Sequence, residues 1–220
     1  MTASLSPLPA LTIPAPDDLI LIYVDYVTGL DNLITTIPGK QFRNNITAFA
    51  KFNRLFQVPT IVYGEENDYY GTFLPEIAEL VTHDVRRFGR SSISGYTPEA
   101  AEFLASTGRK TVMIAGISID NCTLHTALDL LRAGYKVFVI SDVSGSNSAM
   151  AEADAIARLR DAGAVVGGWL TMLTDIGRDF ADPRFGPGMM QIIQAHWPRS
   201  TIGEISDTTP DGHGMQLPVD

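Results

Sequence analysis

The only cysteine in this 220-residue sequence, Cys122, stands where the apolar run 111–117 gives way through Ser118-Ile119-Asp120-Asn121 to an amphipathic helical pattern beginning near Asp120. A thiol at that junction is a candidate nucleophile. Unsatisfied N–H groups and the positive end of a helix dipole favour the thiolate and lower the thiol's pKa. A lone cysteine also serves as a small buried hydrophobe, and position alone leaves both roles open. Two further chemistry-bearing groups occupy comparable places: Asp25 closes the apolar run 19–24, and Arg86, Arg87 and Arg90 close or follow the run 84–87. A carboxylate beside a thiol is a base for it, and a guanidinium favours both anions without releasing a proton near neutral pH. Each has a plainer role as well. An Asp after a buried strand is often a turn or cap, loop arginines are commonly solvated, and Ser118, Asp120 and Asn121 fit loop and cap positions. His125 follows Cys122 by three residues on about the same helical face, but thiol–imidazole pairs normally come from separate elements.

The elements that must position these groups follow from periodicity. Strand-length apolar runs at 19–24, 58–63, 84–87, 111–117, 136–141 and 164–167 alternate with helix-period segments. That is the βαβ pattern of a parallel sheet covered on both faces. Phe42, Ile46, Phe49 and Phe56 form one helical stripe and Leu124, Ala127, Leu128 and Leu131 another, with Gly134 ending the second helix as its C′ residue. The expected fold is α/β, a three-layer α/β/α Rossmann-like arrangement with a doubly wound six-stranded parallel sheet of order 3-2-1-4-5-6. In such sheets the ligand crevice lies beyond the carboxyl ends of the strands where the order reverses, so strands 1 and 4 become neighbours and Asp25 approaches Cys122.

Composition narrows the function. A net charge of −9, with Arg86-Arg87 and Arg90 as the densest basic cluster, argues against nucleic acid as a partner. No run approaches the ~20 apolar residues of a membrane span, so no membrane partner is expected. A single cysteine admits no internal disulfide and no thiolate zinc cage and agrees with a reducing compartment, whence a cytoplasmic location is expected. The first strand is followed by Asp25-Tyr-Val-Thr-Gly-Leu30 rather than by a G-x-G-x-x-G loop, and there is no Walker or H-E-x-x-H motif. With His83, His125, His196 and His213 scattered, neither a cofactor nor a bound metal is expected. Residues 1–18 are proline-rich, lack Lys and Arg, and read as an extended arm; residues 19–182 read as one domain. Residues 183–220, Gly- and Pro-rich with a short helix near 188–196, read as a helix and tail that contact a neighbouring subunit.

Three segments together resemble the isochorismatase-like cysteine hydrolases, the superfamily that includes nicotinamidases and other small amidases. They are Leu21-Ile-Tyr-Val-Asp25, Ile114-Ala-Gly-Ile-Ser-Ile-Asp-Asn-Cys122 and Gly134-Tyr-Lys-Val-Phe-Val-Ile-Ser-Asp142. The resemblance runs from about residue 17 to residue 182. Arg43-Asn-Asn-Ile46 and Ser141-Asp-Val-Ser-Gly145 are similar to a bacterial subgroup of octameric, loosely characterised hydrolases, which implies a homo-oligomer and an octamer as its form. The superfamily's Asp–Lys–Cys triad maps onto Asp25, an arginine and Cys122. Its Lys-x-x-x-Ser-x-Phe spacing falls on Arg90-Ser-Ser-Ile-Ser-Gly-Tyr96 and the subgroup's Arg-x-Gly pattern on Arg87-Phe-Gly89, so Arg87 and Arg90 both stand as candidates. Val27 occupies the place of a Gln found in many members, and the metal-binding Asp-x-His of nicotinamidases has no counterpart. The resemblance also implies a non-proline cis peptide at Ile117–Ser118.

The expected chemistry is hydrolysis of a C–N bond in a small amide through a thioester. Cys122 is the nucleophile and Asp25 its base, an arginine balances the charge, and the backbone N–H groups of Ser118 and Cys122 form the oxyanion hole. Tyr26 and Ile119 are expected to line the substrate pocket, and Tyr69 and Tyr70 are further candidates to close over the thiol. Two other functions compete: a catalytically degenerate structural or binding oligomer of the same fold, and a vinyl-ether hydrolase of the isochorismatase type.

Overall fold

The structure is a computed structural model that describes residues 13–197. Its first regular strand, β1 (Leu19–Val24), is buried at every position, as a Leu-Ile-Leu-Ile-Tyr-Val run covered on both faces must be. β2 (Thr60–Tyr63) and β4 (Thr111–Gly116) flank it, and β3 (Val85–Phe88), β5 (Lys136–Ile140) and β6 (Val165–Gly167) complete one parallel sheet in the expected order β3-β2-β1-β4-β5-β6. β2 begins two residues later than its apolar run suggests. Pro59 has no N–H to enter the ladder, and its carbonyl instead accepts Leu21 N–H at 3.1 Å.

Alternation along β1 divides the core between the two faces. Leu19, Leu21 and Tyr23 join the cluster under α2 (Gly39–Phe56), α3 (Pro75–Leu80) and α7 (Trp169–Gly177). Ile20, Ile22 and Val24 join the cluster under α4 (Pro98–Ser106), α5 (Cys122–Arg132) and α6 (Ala149–Asp161). The aromatic stripe of α2 packs as predicted. The Phe49 ring lies 4.4 Å from that of Tyr23, whose hydroxyl donates to Phe49 O at 2.9 Å. Each such fully buried side chain contributes about 1.5–3 kcal/mol over its exposed state. Asn53, also fully buried, uses its whole amide: Nδ2 donates to Thr60 Oγ1 and His83 O, and Oδ1 accepts from Thr82 and His83 N–H. This fixes the end of α2 to the starts of β2 and β3.

The arm expected over residues 1–18 is described only from residue 13, where Pro16–Asp18 form a short 3-10 turn into β1. The terminal helix expected near 188–196 is α8 (Gly186–His196), and it packs on its own chain. Met189 and Ile192 enter the α2 side of the core, and Asn44 Nδ2 donates to His196 O at 2.8 Å. The tail expected to follow it, residues 198–220, lies outside the described residues. No helix of the described residues is long and apolar enough to cross a membrane.

The register of β1 and β4 positions everything that follows, because Val24 pairs with Gly116 at the very ends of both strands. A Cβ on Gly116 would collide with the Val24 backbone. Relief requires a backbone shift, since no flexible side-chain end is there to move. Gly116→Ala should therefore destabilise the fold by about 3 kcal/mol or more, read as a fall in the urea midpoint. A midpoint equal to wild type would show that the strands can separate without cost.

Candidate active site

Three strand ends meet at Asp25. The residue adopts φ 53°, its N–H donates to Tyr63 O at the end of β2, and Ile117 N–H donates to Val24 O from the end of β4. Asp25 is thus turned out of the β1 line into the space between β2 and β4, where its side chain is almost wholly buried. Arg90, two residues beyond β3, reaches the same point, and its Nη2 donates to Asp25 Oδ2. Burying a carboxylate is tolerable only with such a partner, and removing one member leaves an uncompensated charge that costs about 3–5 kcal/mol.

Cys122 is the first residue of α5 and is half-buried beside this pair. The segment leading to it is braced from behind. Ile119 N–H donates to Gly145 O at 2.9 Å, Gly116 N–H to Ser144 Oγ at 3.2 Å, and Thr123 Oγ1 to Gly116 O at 3.0 Å. The Ile117–Ser118 peptide is cis. Ser118 O accepts from Asn121 and Thr123 N–H, whereas the N–H groups of Ser118 and Cys122 donate to no protein group among the described residues. Both residues line a cavity of about 350 Å³, together with Asp25 and Arg90. That volume suits a small ligand.

The electrostatics correct one expectation. A helix N-terminus alone lowers a thiol's pKa, yet Cys122 is pushed up to about 11. Burial is the largest cause and the Asp25 charge the next, and Arg90 offsets them only in part. The cost of removing the thiolate from water outweighs what the helix terminus gives back.

The structure separates the two candidate arginines. Strand alternation turns Arg86 toward the Phe103 ring and Arg87 to the opposite face, where its guanidinium lies 4.7 Å from the Phe73 centroid. Neither lines the cavity, and Arg90 alone of the three does. Tyr26 and Ile119, both expected in the pocket, also lie outside its lining. Tyr26 is buried on the α2 side with its hydroxyl on Val143 O at 2.7 Å, because the left-handed turn at Asp25 sends the next side chain away. Ile119 is fully buried under α5. His125 does not reach the cavity. Tyr69 and Tyr70, left open by the sequence, line it, and sequence reasoning missed Leu30, Leu33, Glu65, Ile93 and Asn121. Glu65 follows β2, the neighbour of β1, and a wider search of loops at the carboxyl edge would have found it. Among the described residues no group of three or more His, Cys, Asp or Glu is placed to hold a metal ion.

The family model described as the isochorismatase domain matches residues 35–169. The secreted isochorismatase effector Isc1 of Phytophthora sojae is 30% identical over 168 residues, covering 74% of this chain and 77% of the relative. Two solved structures resemble the fold throughout. The YcaC gene product of Escherichia coli, described as an octameric hydrolase of unknown specificity, has a TM-score of 0.82 at 25% identity, over 91% of this chain and 100% of that one. YcaC from Pseudomonas aeruginosa, solved with hexane-2,5-diol and covalent acrylamide, has a TM-score of 0.81 at 27% identity, over 94% and 100%.

The opposing effects of Asp25 and Arg90 on the thiol have opposite signs in mutants. In wild type, alkylation of Cys122 by iodoacetamide should accelerate with pH up to about 11. Asp25→Asn should move that profile to lower pH and Arg90→Met to higher pH, while Arg87→Ala leaves it in place. An unmoved profile in both Asp25→Asn and Arg90→Met would mean that neither charge acts on the thiol.

Proposed function

We propose that this chain, which belongs to the isochorismatase family, is a cysteine hydrolase that cleaves the C–N bond of a small amide through a thioester. One observation carries the reading: Cys122, Asp25 and Arg90 converge on a single cavity from three different strand ends. With the thiol held near 11, only roughly one site in ten thousand carries a free thiolate at pH 7, so proton removal accompanies attack. Asp25 takes the Cys122 proton as sulfur bonds to the carbonyl carbon, and the carbonyl oxygen becomes an oxyanion. The N–H groups of Ser118 and Cys122, without other protein partners, receive it. As the C–N bond breaks, Asp25 returns the proton to the leaving amine. Water then gives a proton to Asp25 while its oxygen attacks the thioester carbon. The C–S bond breaks, the acid leaves, and the proton goes back to sulfur.

Arg90 fits the place that a lysine holds in the superfamily triad, with one difference in chemistry. It stays charged throughout, so it orients Asp25 and steadies the thiolate but cannot carry a proton. Proton traffic thus falls on Asp25 alone. The half-buried, cavity-lining thiol favours this reading over a degenerate binding protein. A carboxylate base directly beside the thiol favours it over vinyl-ether hydrolysis. The octameric Escherichia coli relative supports a homo-oligomeric state, and the lone cysteine supports work in a reducing compartment such as the cytoplasm.

Screening wild type, Cys122→Ala and Asp25→Asn against small primary and secondary amides tests the mechanism. Turnover of any substrate found should fall by about 10³-fold or more in both variants, and wild type mixed with a slow substrate should gain the acyl mass on Cys122. Full turnover by Cys122→Ala would sink the covalent mechanism.

A further inference from the structure

The charge balance of the cavity goes further than the reaction class. Besides the phenols of Tyr69 and Tyr70, four ionisable side chains line it: Asp25, Glu65, Arg90 and Cys122. Arg90 is committed to Asp25, and the thiol is neutral near pH 7. Glu65 remains as one carboxylate with no ion pair and no hydrogen bond among the described residues. Arg87, on the neighbouring strand β3, stacks on Phe73 and does not line the cavity.

Glu65 stands exposed at the rim of the cavity. Gly64, at φ 132°, turns the chain out of β2. The Glu65 side chain then lies along Gly89, where an added Cβ would stand 2.6 Å from Oε1. The missing side chain at residue 89 leaves room for the carboxylate beside the mouth. At the same mouth stand Tyr69 and Tyr70, exposed aromatic rings packed edge to face with centroids 4.9 Å apart. Their loop is tied down. Both N–H groups donate to Asn67 Oδ1, and Tyr70 O accepts Gly29 N–H at 2.8 Å. A Cβ on Gly29 would press on the Tyr69 and Tyr70 carbonyls, which keeps that contact closed.

A carboxylate without an ion-pair partner beside exposed aromatic faces is the combination that holds amines and quaternary ammonium groups. We propose that the substrate of this site is a small amide bearing a cationic group, with Glu65 and the Tyr69–Tyr70 pair as the determinants that receive the cation at the mouth while the amide carbonyl reaches Cys122. This assignment rests on the cysteine-hydrolase reading above. Carboxylate-bearing substrates are disfavoured by the same charge.

Because the chain has one cysteine, sulfur-directed reagents report on this site alone. The experiment compares three methanethiosulfonates on the folded full chain, carrying a methyl, a trimethylammonioethyl or a sulfonatoethyl group. Each rate is divided by that for a free small thiol. The cationic reagent should react about tenfold faster than the anionic one, and that preference should shrink at high salt. Glu65→Gln should bring the ratio toward one and Glu65→Asp should restore it, a pattern that a merely structural role would not produce. A neutral reagent that modifies wild type with no charge preference, or a preference unchanged in Glu65→Gln, overturns the cationic assignment and leaves the hydrolase reading standing. Failure of the neutral reagent to modify folded wild type overturns both.

Discussion

The level ends of β1 and β4 are the constraint on which this molecule depends. Val24 and Gly116 sit side by side because residue 116 has no side chain, and the two chains leave the sheet at the same height. Asp25 turns out of one strand, and the Ile117–Ser118 peptide leads from the other toward Cys122. A longer β4 would carry Cys122 away from the carboxylate. The 141–146 segment holds this height from behind, through Ser144 on Gly116 and Gly145 on Ile119.

Electrostatics at the site are a compromise between burial and pairing. The Asp25–Arg90 pair is nearly dehydrated, which strengthens its attraction and also penalises the thiolate next to it. The same dehydration that raises the thiol strengthens any hydrogen bond to a developing oxyanion in the cavity. A thiol that ionises only as it attacks is protected from idle oxidation, since reactivity follows thiolate fraction. An arginine in this position accentuates the division of labour. In the proposed mechanism one group holds charge and another moves the proton.

Support for the site comes from elements far from it in sequence. α2 fills one face of the sheet with aromatic rings and, through Asn45 Nδ2 on Asp142 O, reaches the brace behind the nucleophile. Asn53 ties the other end of the same helix to β2 and β3, the strands that deliver Glu65 and Arg90. The rigidity of the mouth is also local. The 67–71 turn closes on itself through Asn67 and Gly71 and on residues 28–29 through Thr72 and Tyr70.

Most of the architecture was legible because burial leaves periodic marks. Fully apolar runs become central parallel strands, the stripe of Phe42, Ile46, Phe49 and Phe56 becomes a packed helix face, and Gly134 at φ 84° ends α5 as its lack of a Cβ allows. The sheet order then follows from the general rule for doubly wound folds, and that order alone brings Asp25 near Cys122. Side-chain direction after a strand end left no such mark. One left-handed residue at Asp25 sent Tyr26 into the core instead of the cavity, and two residues of loop brought Arg90 to the carboxylate while Arg87 stacked on Phe73. The Glu65 side chain finds room along Gly89, in the loop after β3. The sequence by itself determined which residues had to be buried and in what order the elements pair, because hydrophobic burial acts on whole segments. Which arginine, which carboxylate and how acidic a thiol were decided only by the tertiary structure, because dihedral angles at single loop residues and desolvation at single atoms depend on neighbours distant in the chain.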